Sequence, residues 1–284
     1  MLKNYFKIAF RRLVKEKQYV ITNMVGFTIG IVSCMLIGLY VYNELSHDTY
    51  HKGHDRIYRV LEDRPVNDAI KRYEWSMNQA FSEKIPQVIP EVESAVSVTL
   101  TQPFSYLKRD EDQYRELDLI AASGSFFDLF THPLVHGSKE GILDRPNTIA
   151  ISESTARQIF GNTNVVGKTL TAIRDHFGKI DELTMEITGV FRDVPGNSHF
   201  LFDAVSSLRS DPGVSYMFSQ YIKLTPGASP KQVVSKIDQA STATHGEAEI
   251  LYEIQPLTDI YLGEYSAQRK GDAMYVYLFL DIAS

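Results

Sequence analysis

The longest apolar pattern lies near the start of the chain. Gln18–Asn43 holds 26 residues without a single Asp, Glu, Lys or Arg. At ~1.5 Å per helical residue it reaches about 39 Å, more than the ~30 Å hydrocarbon core of a bilayer, so it predicts a transmembrane helix over 18–43. Ahead of it, Lys3, Lys7, Arg11 and Lys15 recur every four residues, while Leu2, Phe6, Phe10 and Leu13 line another face. That spacing predicts an interfacial helix over 1–17, apolar side in lipid and basic ridge toward the headgroups. Inside the span, Gly26, Gly30, Cys34 and Gly38 share the same four-residue spacing. A stripe of small side chains lets a second transmembrane helix approach closely.

Beyond the span the pattern turns globular. Arg56–Leu61 reads as a strand, Asn78–Lys84 as a helix stopped by Pro86, and Val96–Leu100 as a half-buried strand. The same order returns late: strand Tyr221–Leu224, then a helix with Ser229 as N-cap and Pro230 at its first position. Its apolar face is Val233, Val234 and Ile237, and strand Glu249–Gln255 follows. Two βαβ-like units therefore flank a different middle. There, Phe104–Arg109 and Gln113–Ala121 predict a hairpin around the acidic turn Asp110-Glu111-Asp112, and Leu183–Asp193 a long strand. One short helix begins near Ser125. Another runs from its N-cap Ser152 to Phe160 and stops at Gly161, leading through a turn to strand Lys168–Ile173. The prediction is an α+β module with a β-rich insertion, both ends returning to the membrane. Ala273–Ser284 is a further apolar run, broken by Asp281. Reaching only ~18 Å, it reads as the start of a second membrane helix cut short.

Composition changes this picture only through its asymmetry. The 284 residues are 44% hydrophobic and 23% charged, an average that looks soluble. Residues 1–17 carry six Lys/Arg against Glu16, a net +5 within a chain of net −6, which leaves −11 for the rest. A basic head on an acidic body suits anionic lipid and argues against nucleic acid as a partner of the body. Seventeen residues before the span carry six Lys/Arg and the seventeen after it carry three, so the positive-inside rule predicts a cytoplasmic N-terminus and an external body. A cleaved signal peptide fits poorly, because the apolar run is too long and ends in Tyr40-Val41-Tyr42-Asn43-Glu44 rather than a small-x-small site. The one cysteine, Cys34, sits in the span, so the body has neither disulfide nor cysteine-based metal site.

Candidate chemistry is sparse. Gly161 to Thr169 resembles a phosphate-binding loop, but five residues separate Gly161 from Gly167 where four are needed. His47, Asp48, His51, His54 and Asp55 cluster just outside the span. The spacing of His47 and His51 could share a metal on one helical face, yet Gly53 disrupts the helix, and a solvated cluster is the favoured reading. His132 and His136 have the same spacing, spoiled by Pro133. There is no Gly-x-Ser-x-Gly and no His-Glu-x-x-His, and the pairs Glu91/Glu93 and Asp110/Asp112 fall in turns or exposed strands. Trp75 beside Tyr73 reads as packing. Catalytic, cofactor-binding and metal-ligating residues are thus predicted to be none.

Several ordered segments resemble the opening of a MacB/FtsX-type ABC transporter permease. They include Met1–Arg12, Asn23–Gly30, Tyr42–Ser46, His51-Lys52, Asp55–Val60, Ser125–Phe130, Pro146-Asn147 and Ser152–Ala156. They continue through Phe160-Gly161, Val166–Leu170, Ile187–Val190, Asn197–Phe200, Gln255–Ile260, Gly271-Asp272 and Tyr275–Tyr277, covering essentially the whole chain. The resemblance implies a porter-like βαβ subdomain split over 44–102 and 207–265, a β-rich inserted subdomain over 103–206, and a second membrane helix starting in 266–284. It implies an inner-membrane protein with a periplasmic body, working as a homodimer or permease pair. Its ATP would sit on a separate ABC ATPase, contacted through regions that follow this chain, and a periplasmic protein is a further implied partner. The activity implied is export or mechanotransmission, not catalysis. His47 and His54 depart from the aromatic and small residues common at their positions in the family. Two other classes compete: a single-span extracytoplasmic sensor, disfavoured because 17 residues are too few for an inner signalling domain, and a membrane-tethered hydrolase.

Overall fold

The computed structural model describes residues 2–66, 69–76, 79–99, 106–110, 113–176, 179–208, 217–245, 250–265 and 268–283. The expected features at Asn78, Leu100, Phe104, Glu111, Asp112 and Glu249 lie outside these residues. So do the side chains of Leu2, Lys3, Phe6, Phe10 and Leu13.

In chain order the elements are helices α1 (Leu2–Lys15) and α2 (Lys17–Leu45), strands β1 (Ile57–Val66) and β2 (Ala69–Tyr73), helix α3 (Gln79–Val88) and strand β3 (Val92–Thr99). Strands β4 (Tyr106–Asp110), β5 (Gln113–Glu116) and β6 (Leu119–Ala122) precede the short α4 (Phe126–Leu129), β7 (Leu134–Gly137), β8 (Thr148–Ser152) and α5 (Glu153–Phe160). Then come β9 (Thr169–His176), β10 (Lys179–Phe191), β11 (Ala204–Ser207), β12 (Ser219–Leu224), α6 (Pro230–His245), β13 (Leu251–Pro256) and α7 (Ala273–Ala283). The chain is α+β and divides into two units, residues 1–45 with 272–284 and residues 46–271.

In the helical unit, α2 spans 29 residues, about 43 Å, and is long and apolar enough to cross a membrane. Its large side chains face outward: Phe27 is 73% exposed, Met35 65% and Leu39 64%. A helix this apolar in the core of a soluble protein would bury that surface, so lipid is the solvent its side chains match. Helix α7 belongs to the same unit, and its Phe279 ring meets Tyr40 of α2 edge to face at 6.0 Å.

The body is one mixed sheet. Its main path runs β13-β1-β12-β3-β6-β11-β8-β10-β9-β4-β5, with β2 beside β1 and β7 beside β10. At one end β13, β1, β12 and β3 alternate in direction, so β1 lies parallel to β3 and β12 parallel to β13. The early β1-α3-β3 unit and the late β12-α6-β13 unit therefore interleave, each supplying a strand between those of the other. Ile85 and Ile89 from the α3 region, with Val233 and Ile237 of α6, cover one face of these strands together with Val60 and Ile222. The opposite face carries an aromatic core of Phe126, Phe127, Phe130, Phe191, Phe200, Phe202 and Tyr221. Toward the other end, β10 pairs parallel with β8 and antiparallel with β9, over a core that includes Ile149, Ile151, Leu170 and Ile187.

Local signals resolve as read at α5. Ser152 Oγ accepts the Thr155 amide at 3.2 Å, and Gly161 closes the helix in the left-handed conformation at φ 74°. Several strands run longer than read, β1, β3, β9 and β10 among them, and two stretches differ in kind. Helix α3 runs through Pro86 to Val88, because burial of Ile85 and Ile89 outweighs one lost backbone bond in its last turn. Gln113–Ala121 is two strands rather than one: β5 pairs with β4, while β6 leaves for β3 and β11. Between them the Asp118 carbonyl accepts the amides of Asp203 and Ala204 at 2.7 and 3.3 Å, which ties this break to the start of β11.

Candidate functional site

The segment after α2 does not lie in solvent, as its histidines suggested. His47, Asp48 and His51 are 2%, 0% and 1% exposed, and they are joined by His132 and His199, also buried. The solvated reading is overturned for these three, Asp48 above all, because partners about 150 residues away supply the bonds that water would otherwise give; His54 is half-buried and Asp55 exposed.

Asp48 is the hub. It adopts φ 61°, a left-handed conformation that aspartate tolerates better than most residues. Its backbone N–H donates to the Asn197 carbonyl at 2.8 Å. Its carboxylate accepts the Ser198 hydroxyl and the His199 backbone N–H, each at 3.2 Å, and lies 2.9 Å from His199 Nδ1. Burial alone would raise this carboxyl, but the ring and amide of His199 more than offset it and hold the group below the usual carboxylate range. The Tyr50 hydroxyl donates to Ser198 Oγ at 3.2 Å, and burial pushes that phenol up.

The cluster reaches into the sheet through a chain of polar contacts. Arg59 of β1, 1% exposed, donates to Gln255 Oε1 of β13 at 2.7 Å and also bonds the Tyr221 phenol of β12. Tyr221 Oη is 3.0 Å from His199 Nε2. With Arg59 donating to that oxygen, the Tyr221 hydroxyl proton turns to His199 Nε2, which leaves the Nδ1 proton facing Asp48. Burial pushes the Tyr221 phenol up to about 12, so it stays a donor. A buried guanidinium and a buried carboxylate are thus connected by hydrogen-bonding side chains.

On the other side of Asp48, His51 Nδ1 accepts the Thr131 backbone N–H at 2.9 Å, and the Lys52 N–H donates to Thr131 Oγ1 at 2.8 Å. His132 lies with its ring parallel to Phe126 and surrounded by Phe127, Phe191 and Phe202. Burial pushes His51 down to about 2 and His132 to about 3. His47 stacks flat on Tyr261, ring centroids 3.3 Å apart.

One loop gathers both ends of the body. Asn197 Nδ2 donates to the Ser46 carbonyl at 2.9 Å, and the Arg269 N–H donates to the His199 carbonyl at 3.1 Å. The Arg269 guanidinium also bonds the Gly196 carbonyl, and Gln268 Oε1 accepts the Leu201 N–H at 2.8 Å. Residues 196–201 therefore hold the chain that follows α2 and the chain that precedes α7.

The remaining expected positions are placed as follows. Lys7, Arg11 and Lys15 are exposed on α1, which also carries Lys3. Cys34 is exposed, and a Cβ added at Gly26, Gly30 or Gly38 would meet nothing within 4 Å. Among the described residues no group of three His, Cys, Asp or Glu is arranged to hold a metal. His136 turns away from His132, its Nε2 3.1 Å from Thr163 Oγ1. Glu91 pairs with Lys236, and Glu93 with Arg56 and Lys223. Trp75 packs on Tyr73 at 5.0 Å under the Arg64 guanidinium. A cleft of about 180 Å³ lined by Asp118, Asp193, Asp203, Ser152 and Ser154 is smaller than the ~300 Å³ at the low end for ligand pockets. Its Asp193 carboxylate is occupied by the Ser154 hydroxyl and amide.

Residue reading missed Arg59, Ser198, His199 and Tyr221, which are scattered and carry no spacing signal. The one trace of Arg59, Ser198 and His199 is that the resemblance includes Asp55–Val60 and Asn197–Phe200.

Comparison with known proteins agrees with that resemblance. Residues 20–240 match the family described as MacB-like periplasmic core domain. Among solved structures, a domain assigned to a permease protein of Porphyromonas gingivalis is 25% identical, with a TM-score of 0.58, covering 81% of this chain and 99% of that one. The extracellular domain of the noncanonic ABC-type transporter YknZ from Gram-positive bacteria is 15% identical, with a TM-score of 0.50, covering 70% of this chain and 99% of that one. The periplasmic region of MacB from Actinobacillus actinomycetemcomitans is 14% identical, with a TM-score of 0.48, covering 69% of this chain and 87% of that one. No curated protein matches the sequence significantly. With more than half of its length matched, the chain belongs to the MacB-like periplasmic core domain family of ABC-type permeases.

Proposed function

We propose that this chain is a membrane permease subunit of a MacB/FtsX-type ABC system, carrying ATPase-driven motion across the inner membrane to its periplasmic body for export or mechanotransmission. In this reading α1 lies on the cytoplasmic leaflet through Lys3, Lys7, Arg11 and Lys15, and α2 crosses with its N-terminus inside. Gly26, Gly30, Cys34 and Gly38 admit a neighbouring helix of a second permease copy. ATP stays on the partner ATPase. Residues 44–102 and 207–265 act as the porter-like half, and 103–206 as the inserted half that meets a periplasmic partner.

The observation that carries this reading is the loop 196–201, which holds both the segment following α2 and the segment preceding α7. A displacement of either helix would reach the body through those bonds, and the polar chain from Asp48 to Arg59 leads from the joint into the sheet. Such a network needs a definite geometry rather than a binding cavity or a nucleophile, which suits transmission better than hydrolysis.

The test is purification of the tagged chain from its native membranes, with ATP hydrolysis measured in the complex. An ABC ATPase is expected to co-purify, and Asp48→Asn is expected to lower coupling of its hydrolysis to the periplasmic partner while leaving the complex assembled. Asparagine tolerates the left-handed backbone and keeps one acceptor oxygen. Purification without any ATPase would sink the proposal.

A further inference from the structure

We propose that Ser46–Arg56 is an acid-released latch: the segment is held on the body by a histidine whose acceptor nitrogen faces a backbone donor, and it opens when the medium outside the membrane acidifies. The inference rests on reading this segment as the joint between membrane and body.

The geometry around His51 leaves no place for a second proton. Nδ1 accepts the Thr131 N–H at 2.9 Å, so the ring proton sits on Nε2. Nε2 is buried without a hydrogen-bond partner, 3.9 Å from Asp48 Oδ1. Protonating Nδ1 would turn it into a donor facing the donor of Thr131, losing a bond and burying a charge at once. The segment would lose the His51–Thr131 half of a two-point clip, whose other half is Lys52 to Thr131 Oγ1.

The surroundings do not supply a counter-charge. From its own segment His51 faces Asp48, Tyr50 and His54. From the residues after α4 it faces Phe130 and His132, and Lys139 adds positive charge near His132. From the 196–201 loop it faces His199, behind which stand Tyr221 of β12 and Arg59 of β1. Asp48 is the one carboxylate in this set, and it already serves Ser198 and both the ring and amide of His199. Burial and the neighbouring rings of His132, His199 and His54 all oppose a positive charge there.

The closed latch therefore keeps His51 neutral well below pH 5, burial having pushed it down to about 2. In the open segment the imidazole regains its ordinary value near ~6.5. Opening is then coupled to proton uptake, and its equilibrium constant rises about 30-fold between pH 7.5 and pH 5. His132 stays packed among its phenylalanines and adds nothing to this local step.

Hydrogen–deuterium exchange of the full chain in lipid nanodiscs tests this, at pH 7.5 and 5.0 with intrinsic exchange rates corrected. Amides of residues 46–56 are expected to lose protection about 30-fold at pH 5, while those of β8 and β10 stay unexchanged over the same times. His51→Asn places its Oδ1 where Nδ1 stands, keeps an acceptor for the Thr131 amide and cannot take up a proton, so its segment should stay within a few-fold of its pH 7.5 protection. Equal protection of the wild-type segment at both pH values overturns the latch. So does acid opening of His51→Asn as large as that of wild type, or exchange of β8 and β10 together with the segment. If the asparagine variant fails to fold, the wild-type comparison decides alone. The Asp48→Asn coupling experiment at constant pH does not depend on acid opening, so failure of the latch leaves it able to support or refute transmission.

Discussion

The span α2 and the joint that follows it turn the usual distribution of side chains inside out, each in its own way. In α2, Phe27, Met35 and Leu39 lie open to their surroundings. In the body, Asp48, His51, His199 and Arg59 are buried, with Phe130 against the rings of His51 and His199. The contrast teaches that exposure follows the available partners rather than residue type. Apolar side chains are stable outside when lipid is the solvent, and polar ones are stable inside when each acceptor meets a donor. It also separates the mechanics of the two regions. The apolar side chains that cover most of the span make contacts without direction, whereas the joint is tied at defined distances.

The largest effect should come from removing the hub. Asp48→Ala leaves the His199 ring, the His199 amide and Ser198 without their acceptor and also strains the left-handed backbone. The body is expected to lose about 3–5 kcal/mol of stability by denaturant titration. An exposed pair provides the contrast: Glu93→Gln, which loosens contacts to Arg56 and Lys223, should cost under about 1 kcal/mol. Equal costs for the two would erase the distinction between tied joint and ordinary surface.

Acid comes next. His51 and His132 have folded values below their unfolded ones, so unfolding takes up protons. Their contribution to stability is present above about pH 6.5 and declines as pH falls from there toward 3. From pH 7.5 to 5 each should remove about 2 kcal/mol of global stability. Asp48 has its value lowered, so its contribution is constant in this window and falls away only below the ordinary carboxylate range. A flat stability profile between pH 7.5 and 5 would mean that the two histidines are not buried neutral.

The smallest effect belongs to the span. Gly30→Leu should weaken self-association of α2 by about 1 kcal/mol in a membrane dimerisation assay, with no change in stability of the body. Unchanged association would remove the role assigned to the small-residue stripe.

Much of the framework was legible residue by residue. The absence of charge over 18–43, the cap at Ser152, the stop at Gly161 and the Val233/Ile237 face of α6 are local signals, decided by atoms within a turn or two, and each element lies where it was read. Pro86 was misread because its penalty is local while the gain from burying Ile85 and Ile89 is not. The split of Gln113–Ala121 was missed because strand alternation says nothing about which strand will be the neighbour.

The histidine cluster is the clearest case of a decision made in three dimensions. His47, Asp48 and His51 are polar residues beside a glycine, and on their own they belong in water. Asp48 and His51 are buried because Ser198, His199 and Thr131 arrive from distant parts of the chain to bond them, while Tyr221 with Arg59 stands behind His199, and His47 stacks on Tyr261. Composition and periodicity by themselves determined the apolar span and several of the helices and strands, such as α5, α6 and β12, since hydrophobic transfer and capping act over a few residues. Only the tertiary structure decided which polar side chains became buried, because the free energy of that burial depends on partners that sequence distance conceals.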